Sequence, residues 1–309
     1  MKSILIMIKK NAVGYIYKIL YKINPRYAAD LMYYRAFHKR MNLDNPMTLV
    51  EKTNWMQFNA DTSLWTLCAD KYRIREYVAE KGLESHLPKL YGHWKDPEMI
   101  EFNELPDEFV LKSNNGCGTV KIVRDKSQLD IKKTRKMMKG WLKPYGYVGG
   151  QTHYLRIDPC IIAEELLHQD EKEKTFSPTS LVDYKMWCIN GEPESVWVAY
   201  NRHNVFMVNM ALYDKDWNPI PQYLKNTAQE TYCPDVNIPK PECFDEMKEI
   251  ARKLAKPFPQ LRLDFYVIND KPYIGEMTFT SGYGFYTDDY YDYLGKKVDI
   301  SGVKSNNTL

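Results

Sequence analysis

The segment that says most about the architecture is Val110-Leu-Lys-Ser-Asn-Asn-Gly-Cys-Gly-Thr119, because it joins two runs that alternate like strands. These runs, Phe109–Ser113 and Thr119–Val123, together with the short glycine-containing connection predict a β-hairpin. Gly116 and Gly118 would let backbone N–H groups close over phosphate oxygens, and Lys112 would add a positive charge. Neither a Walker loop nor a GxGxxG fingerprint is present. A plain turn beside a lysine is the alternative interpretation.

Outward from this hairpin, the rest of the chain alternates helical and strand patterns. Thr48-Leu-Val-Glu51 has capping-box spacing ahead of a helix to about Asn59, and a second helix is predicted from Asp70 to Glu80, ending at Gly82. Further helices are predicted at Ser127–Lys143 and Glu242–Lys256. Strands are predicted at Leu87–Trp94, Cys160–Leu167, Leu181–Ile189, Glu194–Tyr200, Val205–Tyr213, Leu261–Ile268 and Tyr273–Thr280, with turns at Asn190-Gly191 and Asn269-Asp270. This order favours an α+β fold with antiparallel sheets over a parallel doubly wound one.

Composition and charge limit the class of protein. The 309 residues suffice for about two domains, and 44% hydrophobic with 27% charged residues indicates a globular chain. The 43 basic and 40 acidic residues are too evenly balanced to predict a nucleic-acid partner. The six cysteines are scattered without a CxxC pair, which indicates reduced thiols and a cytoplasmic protein.

The first 44 residues are predicted to form a separate basic helical segment. Its apolar run Ile4–Ile8 is too short to span a bilayer or to form the core of a signal peptide. Residues 1–26 hold six basic residues and no acidic one. Two interpretations are open: a helix in peripheral contact with the anionic inner face of a bacterial membrane, or a terminal helix packed on the protein body.

Two carboxylates near the end of the chain are candidate magnesium ligands. Asp264 and Glu276 lie on two adjacent predicted strands within apolar runs, where an unpaired carboxylate is costly to bury. Magnesium commonly takes one or two protein carboxylates together with substrate phosphates. Arg262 should point to the same sheet face as Asp264 and reach a phosphate. An ion pair of Arg262 with the two carboxylates is the structural alternative.

Two other strand segments carry charged residues. Glu164 and Glu165 follow the apolar run Ile161–Ala163, where they suit contacts to an adenine amino group and ribose hydroxyls, although they also read as an ordinary strand end. Lys185 lies within an apolar alternating strand and requires an anionic partner, which is either a nucleotide group or Asp183.

In combination these segments resemble the TupA-like ATP-grasp family, which is encoded with bacterial capsule, O-antigen and teichuronopeptide synthesis genes. The resemblance spans roughly residues 45 to 300. It rests on Ala69-Asp-Lys71-Tyr-Arg-Ile-Arg75, the Lys112 loop, Ile162-Ala-Glu-Glu165, Asp183-Tyr-Lys185, Arg262-Leu-Asp264-Phe and Gly275-Glu-Met-Thr-Phe-Thr280. It implies an ATP-grasp fold in residues 45–309, with a glycine-loop subdomain at about 87–180 and a metal-binding subdomain at about 181–300 that hold ATP between antiparallel sheets.

The resemblance also implies residue roles. Lys112 and Lys185 would contact the nucleotide, the loop residues Asn114, Gly116, Cys117 and Gly118 would cover its phosphates, and Glu164, Glu165 and Leu167 would form the adenine and ribose rim. Asp264 and Glu276 would bind Mg²⁺, with Thr278 in the place where many relatives have Asn. Lys71 and Arg262 would meet phosphate or substrate. Asn115 and Cys117 replace the His and Ser expected in many relatives.

ATP-grasp ligases typically phosphorylate a carboxylate to an acylphosphate, which an amine then attacks. The hypothesis for this chain is a hexuronic acid of a surface polysaccharide or its lipid-linked precursor, joined to an amino acid or small amine. The basic stretch Lys126–Lys143 would attract the anionic glycan, or it is an ordinary solvated helix face. The aromatic residues that follow would stack on sugar rings, or they form the edge of the core; they are Trp141, Tyr145, Tyr147 and Tyr154.

Two other function classes remain open. Asp214-Lys-Asp216 matches the DxD pattern of metal-dependent glycosyltransferases but also reads as a turn. A non-catalytic assembly protein that senses nucleotide is the third class.

Overall fold

The computed structural model describes residues 2–204, 207–225, 230–232 and 237–305. The predicted α+β class is confirmed. The helices are α1 Lys2–Ile23, α2 Pro25–Phe37, α3 Leu49–Asn59, α4 Ser63–Ala69, α5 Ile74–Glu80, α6 Ile131–Trp141, α7 Thr152–Leu155, α8 Glu171–Lys174, α9 Phe244–Ala255 and α10 Asp288–Lys297. The strands are β1 Leu90–Trp94, β2 Phe109–Ser113, β3 Val120–Val123, β4 Ile161–Glu164, β5 Asp183–Ile189, β6 Glu192–Asn204, β7 Met207–Asp214, β8 Glu230–Tyr232, β9 Gln260–Ile268 and β10 Lys271–Thr278.

The strands form two sheets. One has four strands in the order β1-β4-β2-β3, and all of its neighbours are antiparallel. The other has six strands in the order β10-β9-β5-β6-β7-β8. Its neighbours are antiparallel, as expected, except for β7 and β8, which pair in parallel over three residues at one edge. Strand β8 is not among the predicted strands, because it lies in the proline-rich stretch from Pro219 to Pro241, whose composition is typical of irregular structure.

Most of the predicted local signals correspond to structure. Thr48 and Glu51 form the capping box at the start of α3. Two hairpin turns of the six-stranded sheet have positive φ at their two central residues, at Asn190-Gly191 and at Asn269-Asp270. The helix predicted from Asp70 instead begins at Ile74. The Asp70 carboxylate accepts hydrogen bonds from the amides of Tyr72 and Arg73 and thereby fixes a turn before the helix.

Three hydrophobic clusters hold the sheets and helices together. The largest packs α9, through residues such as Met247 and Leu254, against one face of the six-stranded sheet. The second covers the opposite face with Tyr290 and Leu294 of α10. The third places Met138 of α6 on the four-stranded sheet. Helices therefore pack against both faces of the larger sheet.

The N-terminal helices pack on the body of the protein. Tyr17 of α1 is buried, and α1 and α2 both contact the segment 148–150. Gly150 has a φ of +64°, and a Cβ atom there would lie 2.4 Å from the carbonyl oxygen of Pro25. This contact confirms that the helical segment docks on the body. The domain boundaries after residues 44 and 180 remain predictions.

Two further expectations can be compared with the structure. Among the described helices, none is both long enough and apolar enough to cross a bilayer. The five described cysteines are free, whereas Cys233 and the beginning of the strand predicted from Val205 lie outside the described residues.

Candidate active site

A cavity of about 150 Å³ lies where residues of both sheets meet. It is lined by four residues predicted for nucleotide contact, Lys112, Glu164, Glu165 and Leu167, and by Lys71. Tyr266, Ile274 and Gly275 of β9 and β10 face them from the six-stranded sheet. Residues that are far apart in the sequence are thus brought to one site.

The charged centre of the cavity is a carboxylate between two cations. Glu164 accepts a hydrogen bond from Lys112 Nζ at 2.8 Å and one from Arg75 Nη2 at 2.7 Å. The pairing of β2 with β4 aligns Val110 with Glu164 and fixes this geometry. Burial by itself raises the pKa of Glu164, but Lys112 and Arg75 more than offset this and hold the pKa below its usual value. Glu164 is therefore a fixed anion that orients Lys112.

The glycine loop lies beside this pair. Gly118 has a φ of +71°, and Cys117 is exposed at the tip. Lys71 Nζ donates a hydrogen bond to the carbonyl oxygen of Gly116 at 3.0 Å. A Cβ atom at Gly116 would lie 2.3 Å from the hydroxyl oxygen of Thr119, so the loop requires glycine at this position.

Asn114 has a different place from the one that the resemblance implies. Its amide group donates to Asp70 and to the carbonyl oxygen of Asp158, both at 3.0 Å, and its Oδ1 accepts from the Cys160 amide at 2.8 Å. The side chain is 1% exposed. Both donated hydrogens of the side-chain amide and its Oδ1 are engaged within the protein, so Asn114 anchors the base of the loop.

A second charged cluster is buried in the six-stranded sheet. Arg262 makes a bidentate pair with Asp264, with nitrogen–oxygen distances of 2.7 and 2.9 Å. Lys185 lies 2.6 Å from Asp264 and 2.5 Å from Asp183. The register places Lys185 directly opposite Asp264 on the neighbouring strand. The ion pair considered as the alternative for Arg262 is therefore present with Asp264. Asp183, the alternative partner considered for Lys185, contacts that lysine together with Asp264.

Glu276 and Thr278 lie on the last strand, next to this cluster. Glu276 is paired in register with Asp264, and its side chain is 29% exposed. Its closest cation is Lys71, whose Nζ lies 3.6 Å from the carboxylate. Thr278 Oγ1 accepts a hydrogen bond of 3.2 Å from Arg262. Lys71 thus contacts both the glycine loop and the last strand.

The predicted metal ligands fit magnesium in one arrangement. In the part of the chain that the structure describes, no three His, Cys, Asp or Glu residues are grouped to hold a metal ion. Both oxygens of Asp264 already contact cations, whereas Glu276 is half-buried and accessible. Because Mg²⁺ binds through one or two carboxylates together with substrate phosphates, Glu276, with Asp264 behind it, would hold the ion once phosphates complete its coordination.

The cavity walls suit a nucleotide. Val110, Val120, Ile122, Leu167 and Ile274 line the cavity with aliphatic surface on which a purine ring can pack. Lys112 and Lys71 lie at the same cavity and can neutralise phosphate charge. An apolar slot with adjacent lysines is compatible with binding of an adenine nucleotide.

Two residues of the site were missed in the sequence. Tyr266 lies two positions after Asp264 on β9, and this alternation was the available signal. Arg75 closes the motif Ala69–Arg75 that carries the resemblance, but its partner Glu164 is 89 residues away and no role was assigned to it.

Residues 51–299 of the sequence match a family model described as TupA-like ATPgrasp. The chain belongs to the TupA-like ATP-grasp family. Its two-sheet α+β architecture is accordingly an ATP-grasp fold. Among curated protein sequences, none matches significantly.

Solved structures of ATP-grasp enzymes are similar at low identity. A D-alanine–D-alanine ligase from Bacillus anthracis is 16% identical with a TM-score of 0.47, over 80% of this chain and 72% of that one. The ATP complex of that ligase is 14% identical with a TM-score of 0.42, over 75% of this chain and 60% of that one. An ADP complex of PurK, an N5-carboxyaminoimidazole ribonucleotide synthetase, is 14% identical with a TM-score of 0.45, over 75% of this chain and 51% of that one. Because these TM-scores lie below 0.5, residue roles rest on the family match and on the geometry of this chain.

Asp214-Lys-Asp216 lies apart, in the turn after β7. Asp214 accepts hydrogen bonds from the amides of Asp216 and Asn218 and from the Asn218 side chain, at 2.8 to 2.9 Å. Asp216 pairs with Lys215. These bonds agree with the turn interpretation of the DxD pattern.

Proposed function

We propose that this protein is an ATP-dependent ligase that joins a carboxylate to an amine. The supporting observation is the arrangement of Lys112, Glu164 and Lys71 around a cavity opposite Glu276. Phosphoryl transfer needs mainly positioning and charge stabilisation, which lysines, loop amides and Mg²⁺ supply without a nucleophilic side chain.

In this proposal the two charged clusters have separate tasks. Lys112, oriented by Glu164, binds phosphate oxygens, while the loop of Gly116, Cys117 and Gly118 covers them. Glu165 and Leu167 form the rim of the base and ribose site. Lys185 and Arg262 position Asp264, and Glu276 and Asp264, with Thr278 nearby, hold Mg²⁺, which would neutralise phosphate charge when bound.

The proposed reaction has two steps. A carboxylate oxygen of the acceptor attacks the γ-phosphorus of ATP, and the bond to the bridging oxygen breaks to release ADP. The amine nitrogen then attacks the carbonyl carbon of the acylphosphate, phosphate leaves, and the nitrogen loses a proton. Arg262 and Lys71 would stabilise negative charge on the transferred group.

For the acceptor we propose a hexuronic acid of a capsular or other surface polysaccharide, or its lipid-linked precursor. Lys132, Lys133 and Lys136 of α6 are exposed, which agrees with an anionic glycan, whereas Lys139 pairs with Glu98 at 2.6 Å. Of the aromatic residues, Tyr154 is buried and only Tyr145 is exposed for stacking. The amine would be an amino acid or a small amine, and the reaction would take place in the cytoplasm at the inner membrane face.

The test measures ADP release with Mg–ATP, a panel of hexuronic acids and amines, and ¹⁸O-labelled uronate. A ligase transfers one ¹⁸O atom from the carboxylate to phosphate and forms an amide that mass spectrometry detects. Direct phosphorylation of a sugar hydroxyl leaves the ¹⁸O in the uronate and would refute the proposal.

Two matched carboxylate variants locate the reaction. Glu276→Gln should lower ADP release at least a hundredfold, because removing a transition-state electrostatic contact typically costs that much. Asp216→Asn, in the surface turn, should retain wild-type rates. The reverse result, with binding of UDP-sugars that depends on Asp216, would favour the glycosyltransferase. Nucleotide binding without any turnover would favour the non-catalytic sensor.

A further inference from the structure

Helix α1 exposes a continuous apolar face. In residues 13–23, the part of α1 whose side chains the structure describes, four large hydrophobic side chains are exposed: Tyr15 by 66%, Ile16 by 49%, Ile19 by 43% and Ile23 by 68%. Tyr15, Ile19 and Ile23 are four residues apart and lie along one side of the helix, with Ile16 beside them. We call these four residues the α1 stripe. Single exposed apolar residues are ordinary, but a contiguous row of four marks an interaction surface.

The opposite side of α1 holds the helix in place. Tyr17 is 3% exposed, and the ring of Tyr21 contacts that of Tyr147 edge-on at 5.3 Å between centroids. Helix α1 also contacts α2 and the segment 148–150. The α1 stripe is therefore held facing outward by the packing of its helix.

The charge around the stripe identifies what covers it. Lys18 and Lys22 are exposed, and the helical period puts both along one edge of the stripe. Residues 1–26 as a whole carry six basic residues and no acidic one. A second copy of this chain would bring these basic edges together across a two-fold axis, which like-charge repulsion opposes. An anionic lipid surface offers both an apolar layer for the stripe and negative charge for the lysines.

We propose that α1 binds the surface of an anionic bilayer, with the α1 stripe inserted at the level of the lipid headgroups and Lys18 and Lys22 against lipid phosphates. This surface lies outside the nucleotide cavity, so the binding needs neither ATP nor the ligase reaction. The proposal turns one of the two open interpretations of the N-terminal segment into a specific one: α1 is docked on the body through one face and meets lipid through the other.

The experiment is flotation of the full chain, without nucleotide, with phosphatidylcholine vesicles and with vesicles that also contain about one quarter phosphatidylglycerol. The wild type should float with the anionic vesicles, and its partition coefficient should fall as salt rises from about 0.1 M to about 0.5 M. It should float at least tenfold less with phosphatidylcholine alone.

Three variants separate the contributions. Ile19→Asp with Ile23→Asp should lower the partition coefficient more than tenfold. Lys18→Gln with Lys22→Gln should lower it on the order of tenfold at low salt and flatten its salt dependence. Met99→Asp is the matched control, because Met99 is an equally exposed apolar residue at 67% but lies outside α1, and it should bind like the wild type.

Other outcomes would overturn the proposal. One is a wild-type protein that does not float with anionic vesicles, and another is an isoleucine variant that floats as well as the wild type. A third is a wild-type protein that is dimeric in sedimentation velocity while the isoleucine variant is monomeric. Because every exchanged residue is exposed, circular dichroism should give the same spectrum for all variants. Failure of ADP release with intact vesicle binding would refute the proposed function and leave this inference standing.

Discussion

His153 is a fully buried histidine with no hydrogen-bond partner on either ring nitrogen among the described residues. Its ring packs among those of Trp65, Tyr154 and Phe279. Burial, with a smaller contribution from the charge of Arg156, lowers the pKa of His153 to about 3. The ring is therefore neutral in the folded protein at pH values where an unfolded chain would protonate it.

This burial predicts a pH dependence of stability. Below its ordinary pKa of about 6.5 the unfolded state binds a proton at His153 that the folded state does not, so stability is lost as pH falls from 6.5 toward 3. Between pH 6.5 and 4.5 the loss of stability from this residue is about 2 kcal/mol. We expect the free energy of unfolding of His153→Phe, measured with urea, to depend less steeply on pH across that range than that of the wild type. The change in packing should lower the free energy of unfolding of the variant by a constant amount at every pH.

The control is His168→Gln, because His168 is exposed on the surface. This variant should keep the wild-type slope. Equal slopes for the wild type and His153→Phe would contradict the assignment of the pH dependence to His153.

At this scale the sequence predicted residue types better than their partners. Lys112, Glu164 and Glu165 were identified because charged groups at the ends of apolar strands need a reason to be there, and all three line the cavity. Asn114 was assigned to the nucleotide because it lies in the loop, but its contacts to Asp70, Asp158 and Cys160 depend on how distant segments pack. No local pattern carries that information.

Among the secondary structure elements, the contact of α10 with α3 depends on one glycine. A Cβ atom at Gly295 would lie 2.3 Å from the carbonyl oxygen of Met47 and 2.6 Å from the amide nitrogen of Leu49. These atoms belong to backbone at the start of α3 and cannot move aside without displacing that helix. The two helices therefore approach as closely as they do because position 295 has no side chain.

Gly295→Ala should destabilise the protein by about 1 to 3 kcal/mol or more, the cost of overpacking. The matched control is Gly140→Ala near the end of α6, where an added Cβ atom meets nothing within 4 Å. That change should stabilise by about 0.5 to 1 kcal/mol, because alanine favours a helix over glycine. Denaturation midpoints measure both, and a similar effect of the two substitutions would disprove the role of close approach.

Element boundaries were predictable where capping or turn residues specify them. The capping box of Thr48 and Glu51 and the Asn190-Gly191 turn correspond to the observed α3 and to the hairpin of β5 and β6. The start of α5 was predicted too early, because Asp70 uses its carboxylate for a turn and for Asn114. The parallel strand β8 has three residues and is stabilised by its neighbour β7, which periodicity cannot show.

For the whole molecule, the candidate site is contributed by both sheets, so a ligand bound there should stabilise them jointly. At a concentration of about 100 Kd, Mg–ATP should add about 2.7 kcal/mol to the free energy of unfolding. For a chain of this size that corresponds to a rise in Tm of roughly 5 °C. Differential scanning calorimetry measures the change.

Lys112→Met should abolish this rise. Lys121→Met is the matched control, because residue 121 alternates with Val120 and Ile122, which line the cavity, and so lies on the other face of β3. The control should keep the full shift. A shift that survives in Lys112→Met would place the nucleotide elsewhere on the protein.

The relative placement of the two sheets and of the N-terminal helices was beyond sequence reasoning. Order and spacing of the motifs were enough to identify the fold, since the family match covers residues 51–299. In the contact between α2 and Gly150, only Gly150 lies within the matched range, because Pro25 precedes it. The contact depends on a close approach of two backbone segments, which the spacing of sequence motifs does not predict.

The cations described in the candidate site are each in contact with a carboxylate: Lys112 and Arg75 with Glu164, Lys185 and Arg262 with Asp264, and Lys71 with Glu276. Under the proposed function, binding of an anionic nucleotide would be an exchange of counter-ions within the protein, because every one of these cations already has a carboxylate partner. The carboxylates released in this exchange would be available as ligands for a divalent ion. We would therefore expect a nucleotide bound to its metal ion to bind more tightly than the free polyanion.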